Sequence, residues 1–77
     1  MRLVDLIMKN IDNKMERVYY RYGAEANRIE LGFKAYKELI HQGAPIRIYE
    51  DGFYRYKGVR VYVDYSDEYK VKVGVVI

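Results

Sequence analysis

Valine recurs at every second position in two stretches near the C-terminus, Val59-Arg60-Val61-Tyr62-Val63 and Val71-Lys72-Val73. Alternation of this kind puts one set of side chains on each side of a β-strand. A chain that carries it builds a sheet with one buried face, and most of Pro45–Ile77 shares the pattern. The buried face sets the register, because a one-residue slip turns every valine outward. A loop of Ser66, Asp67 and Glu68 closes a hairpin in which Val59 faces Val75, Val61 faces Val73 and Val63 faces Val71. The other side then pairs Asp64 with Lys70 and Tyr62 with Lys72. A two-residue turn would set Val63 against Lys70 and waste the pattern. Val75-Val76-Ile77 drops the alternation, so it is buried on both sides or belongs to an interface.

The first half of the stretch is ambiguous by one residue. Pro45–Glu50 reads as a strand, Asp51-Gly52 as a hairpin signal and Phe53–Tyr56 as the return. A two-residue turn pairs Tyr49 with Tyr54 and Ile48 with Arg55; a three-residue loop sets Ile48 opposite Tyr56. Beyond it, the core parity changes from even (Tyr54, Tyr56) to odd (Val59, Val61, Val63). A bulge or tight turn at Gly58 brings both sets to one face.

Upstream, residues 2–22 read as an amphipathic helix. Leu3, Ile7, Ile11, Met15, Val18 and Tyr22 recur every three to four residues, with Leu6 beside them and most charges opposite. Gly23 is a natural stop. After a connector of residues 24–27, Arg28–Leu31 alternates as a short strand and Gly32 ends it. Residues 33–42 form a second helix with Phe33, Tyr36, Leu39 and Ile40 on one side, closed by Gly43 and Pro45. His41 falls in its last turn, where a cation suits the helix dipole, and is read as a surface residue.

Seventy-seven residues make a single domain, 1–77, with no repeat and no internal boundary. A chain of this size buries only roughly 60–65% of its unfolded surface. With no cysteine and one histidine, neither disulfides nor a thiolate or multi-histidine metal site can brace it. Ten tyrosines suit so thin a domain, since a phenol buries its ring and keeps its hydroxyl wet. The N-terminal apolar run is short and holds Asp5, so it is neither a signal peptide nor a membrane span, and a cytoplasmic protein is expected.

No glycine-rich phosphate loop, zinc-helix pattern or nucleophile–base pairing is present, so no catalytic residue, cofactor or small-molecule substrate is expected. Asp64, Asp67 and Glu68 cluster without the spacing of a calcium loop and read as a solvated turn. One constellation stands out. Arg47, Tyr49, Arg60, Tyr62, Lys70 and Lys72 should all point away from the valines. Cations and aromatics on a sheet hold single-stranded nucleic acid by phosphate pairing and base stacking. The plainer reading is a solvated face knitted by cross-strand Tyr–Lys and Tyr–Arg packing. The net charge of +3 is spread along the chain and forms no basic tail.

The segment Arg28-Ile29-Glu30-Leu31-Gly32-Phe33-Lys34-Ala35-Tyr36-Lys37-Glu38-Leu39 resembles a strand–turn–helix of tailed-phage major capsid proteins. In those proteins a strand ends in a small residue and an Ala-Tyr-x-x-Leu helix follows. Tyr56-Lys57-Gly58-Val59-Arg60-Val61-Tyr62-Val63 is similar to a later strand of the same family. The resemblance covers about a third of a chain far shorter than a capsid protein. It implies a phage origin and assigns no functional residue.

These readings converge on an α+β fold in the order α-β-α-β-β-β-β, a mainly antiparallel sheet of three to five strands with two helices on the valine face. The expected function is that of a small, non-enzymatic binding protein. Its expected partner is another protein or a second copy, docked through the C-terminal strand as an exposed edge. Nucleic-acid binding through the basic, aromatic face is the alternative.

Overall fold

The computed structural model describes residues 1–76. Its elements follow the expected order: α1 (Leu3–Tyr22), β1 (Arg28–Gly32), α2 (Phe33–His41), β2 (Ile46–Ile48), β3 (Tyr54–Tyr56), β4 (Val59–Asp64) and β5 (Val71–Gly74). The strands make one five-stranded sheet in the order β2-β3-β4-β1-β5. Both helices lie against the same side. Val4, Ile7 and Ile11 of α1 and Ala35 and Leu39 of α2 share a core with Ile29, Leu31, Tyr56, Val61 and Val71.

The valine hairpin does not form. β1 stands between β4 and β5, parallel to the first and antiparallel to the second, so the sheet is mixed. The alignment of the valines nevertheless survives. Ile29 pairs with Val61 on one side and Val73 on the other, and Leu31 with Val63 and Val71. Two of the three expected valine pairs are thus rows of the sheet with a β1 residue inserted; the third, Val59 with Val75, does not form, because Val59 pairs with Tyr56 and Val75 lies beyond the end of β5. The physical reason is burial: as the strand between them, β1 leaves Ile29 and Leu31 with no exposed surface. A β4–β5 hairpin would have left β1 at an edge.

Gly32 shows why the β4–β5 connection runs where it does. A Cβ there would lie 2.4 Å from the Asp67 carbonyl oxygen and 2.6 Å from that of Glu68. Those carbonyls accept the first free amides of α2: Phe33 N–H donates to Asp67 at 3.1 Å and Lys34 N–H to Glu68 at 2.8 Å. α2 thus has no side-chain cap and is capped by a loop that only glycine admits.

The other departures are local. On α1, Val4 takes the buried place expected of Leu3, which is 43% exposed, and Tyr22 is 61% exposed in a last turn that overruns the core. On α2 the buried pair is Ala35 and Leu39, while Phe33 and Ile40 are exposed and Tyr36 packs edge-on against Tyr54. In the first hairpin Ile48 pairs with Tyr54, Arg47 with Arg55 and Ile46 with Tyr56, which is neither expected register. The loop is Glu50-Asp51-Gly52: Gly52 N–H donates to Tyr49 O, and its φ of 83° is left-handed. A turn followed by such a glycine makes a three-residue loop centred on Asp51.

The parity change at Gly58 is the expected tight turn. Lys57 and Gly58 both take positive φ, and Tyr56 pairs with Val59. Tyr56 is fully buried, and its hydroxyl donates to Asp12 Oδ1 at 3.0 Å, while Lys57 Nζ reaches Asp12 Oδ2 at 3.0 Å. Burial and the Asp12 carboxylate push the Tyr56 phenol up from its ordinary range. Val75 and Val76 lie beyond β5 rather than in it, and Asn27 holds Val76 through two side-chain bonds, at 2.8 and 2.7 Å. Ile77, the end of the expected strand, lies outside the described residues. No helix among the described residues is long and apolar enough to cross a membrane.

Candidate binding face of the sheet

With both helices on one side, the other side of the sheet carries no packed element. Strand pairing arranges its side chains in rows across the strands. Arg47 of β2 stands opposite Arg55 of β3, and Arg55 opposite Arg60 of β4. Arg28 precedes Ile29, the partner of Val61, and so continues the row beside Arg60. Four arginines therefore cross four adjacent strands. One step along the strands runs an aromatic row. Tyr49 bonds to Phe53 across the hairpin, Phe53 lies 6.1 Å from Tyr62, and Tyr62 pairs with Glu30, which pairs with Lys72.

The two rows interlock on the diagonal, the usual reach of long side chains on a pleated surface. The Arg28 guanidinium lies 3.9 Å from the centre of the Tyr62 ring, that of Arg60 4.1 Å from Phe53 and that of Arg55 5.1 Å from Tyr49. Each arginine leans one strand over, toward the β2 edge. Arg47 already occupies that edge, and it has neither a ring to lean on nor an ion-pair partner among the described residues.

Three carboxylates offset part of this charge. Asp51 bonds Arg55 at 2.7 Å and approaches Arg60 at 3.5 Å; the Phe53 amide and then Arg55 hold its carboxyl below the usual range. Glu30 is lowered by Lys70 and then Arg28, each at 3.1 Å. Asp64 accepts from both the hydroxyl and the amide of Ser66 and pairs with Lys70 at 3.0 Å, which brings its pKa to about 2. The expected Asp64–Lys70 pairing thus exists, spanning the bare backbone of Gly32 between the two strands.

All six residues singled out in the sequence face this side. Arg47 and Arg60 share the arginine row, and Tyr49 and Tyr62 the aromatic row. Lys72 is at the far edge beyond Glu30, and Lys70 is spent on two carboxylates. Arg28, Phe53 and Arg55 belong to the same surface and were missed. Arg28 could be found only by placing β1 next to β4; Arg55 followed from the three-residue loop that the sequence left open, and Phe53 only from a loop of Glu50-Asp51-Gly52. The side thus carries Arg28, Arg47, Arg55, Arg60, Lys70 and Lys72 against Glu30, Asp51 and Asp64.

Other candidates disperse. Asp64, Asp67 and Glu68 turn to different partners: Lys70, the Tyr69 amide and Lys34. Among the described residues no group of three or more acidic or histidine side chains could hold a metal ion. A depression of about 550 Å³ beside the end of β2 is lined by the single run Arg47–Asp51, of which only Arg47 belongs to the arginine row.

The fold and this surface define a class: a small α+β domain with helices on one side of a mixed sheet and a cation-rich, aromatic surface on the other. In comparisons with known proteins, no family model, curated protein or solved structure matches the chain.

Proposed function

We propose that this is a non-enzymatic, cytoplasmic binding protein that holds an anionic partner on the open side of its sheet. The arginine row carries this reading. Like charges directly opposite one another in a sheet repel, and four in a row is a costly arrangement. Asp51 and Glu30 quiet three of the four and leave Arg47 for an external anion.

The edges are poorer docking sites than the face. On β5 the pairing with β1 uses the backbone groups of Lys70, Lys72 and Gly74, so those of Val71 and Val73 point outward. Lys14 of α1 donates to the outward carbonyl of Val71, which occupies one acceptor on the edge expected to form a homodimer. On β2 an antiparallel second copy centred on Arg47 would set Arg47 against Arg47, a charge that guards the edge. A protein partner fits this reading if it brings acidic groups to the face.

Retention on a sulfated polysaccharide matrix tests the reading. Arg47→Glu should elute at clearly lower salt than the wild type, and Lys9→Glu, on the far side of α1, should shift elution less. Equal shifts for the two variants would remove the face as the binding surface.

A further inference from the structure

We infer, resting on the binding reading above, that the anionic partner is a single-stranded nucleic acid lying across the strands along the Arg47–Arg55–Arg60–Arg28 row. Three features of the surface select this partner from other polyanions.

The first is the pairing of charge with rings. An acidic peptide needs cations alone. Here Arg55, Arg60 and Arg28 each lie over a ring, at 5.1, 4.1 and 3.9 Å. A guanidinium packed against a ring is held in place beside that ring, and stacking on guanidinium groups and aromatic rings is how unpaired bases are held. The three side chains remain partly exposed, 26% for Arg55, 39% for Arg60 and 37% for Arg28, so a ligand can reach them.

The second is preorganisation. Arginine ordinarily loses much rotamer freedom on binding. Asp51 holds the Arg55 and Arg60 heads and Glu30 holds Arg28, while each of the three also packs against a ring. Asp51 serves the middle of the row and Glu30 the Arg28 end, so the uncompensated Arg47 at the other end marks where a phosphate gains most.

The third is shape. With strands about 4.8 Å apart, four arginines span about 14 Å across a pleated sheet. No helix rises from this side to enter a groove, because α1 and α2 are both on the other. A duplex hides its base faces inside its stack; a single strand offers phosphates and bases together.

Fluorescence anisotropy with a labelled mixed-sequence single-stranded oligonucleotide, the matching duplex and a poly-glutamate peptide separates the cases. The single strand should bind about tenfold or more tighter than the duplex, the equivalent of one stacked base. Its affinity should fall with salt, and Arg47→Ala should weaken it and make the log–log salt slope shallower by about 0.7, the loss of one phosphate contact. Arg47 supports no other side chain, so the variant should keep the wild-type melting temperature, and Lys72→Ala gives a second probe at the far edge. Binding of poly-glutamate in preference to the oligonucleotide overturns the nucleic-acid assignment and leaves the anion-binding face standing. Equal affinity for duplex and single strand, or a salt slope unmoved by both variants, also overturns it. If none of the three probes binds, the function proposed above fails with it.

Discussion

Single residues decide two features of this molecule. Gly32 joins β1 to α2 with the Asp67 and Glu68 carbonyls packed where a Cβ would be. Gly32→Ala must push that loop away and uncap the helix, and should cost about 1–3 kcal/mol in denaturant unfolding, the range for forced overpacking. Gly74→Ala is the control, since a Cβ there meets open space and should change stability little. Asp64 is the second case. Its folded pKa of about 2 lies below the ordinary 3.8, so folding gains stability from its ionised form. That gain is complete above the ordinary value and disappears as pH falls from about 4 toward 2. Glu30, also lowered, adds to the same acid limb. Asp64→Asn should therefore flatten the loss of stability over that window, and added salt should shrink the difference between variant and wild type, since the pair is partly solvated. An unchanged acid limb in the variant would remove Asp64 from the account.

Among elements, the strands show what periodicity can and cannot deliver. Alternation identified every strand and placed Val61 with Val73 and Val63 with Val71 in common rows. It could not say which strands touch, because Ile29 and Leu31 carry the same parity and fit between the valines without disturbing it. The candidate surface inherits that limit. Outward parity picked out Arg47, Tyr49, Arg60, Tyr62, Lys70 and Lys72, whereas Arg28 joins them only because β1 neighbours β4. The short hairpin differed for another reason: the three-residue length was one of the two expected, but its glycine closes the loop as the third residue, Glu50-Asp51-Gly52, where the expected register made it the second. The same scale yields a prediction about the β5 edge. Lys14 covers the Val71 carbonyl, and Lys14→Ala would expose it. Sedimentation at high concentration should then show more self-association than the wild type; a variant as monomeric as the parent would mean that the lysine does not guard the edge.

For the molecule as a whole, charge is the property that folding redistributes. Along the chain the excess of +3 is almost even between the halves. In three dimensions six cations and three carboxylates gather on one side of one sheet. Sequence counts by segment hide this, because the row draws one arginine from each of four strands. The central position of β1 has a further consequence, one of timing. β1 is made early, yet both of its neighbours come from the last third of the chain. During synthesis Ile29 and Leu31 wait without either partner until Val59–Asp64 has emerged, and without the second until Val71–Gly74 follows, so the core closes only near the end of the chain. Contacts so distant in sequence make for slow closure, and the waiting strand, with two open flanks, is where a half-made chain is most exposed to wrong pairing.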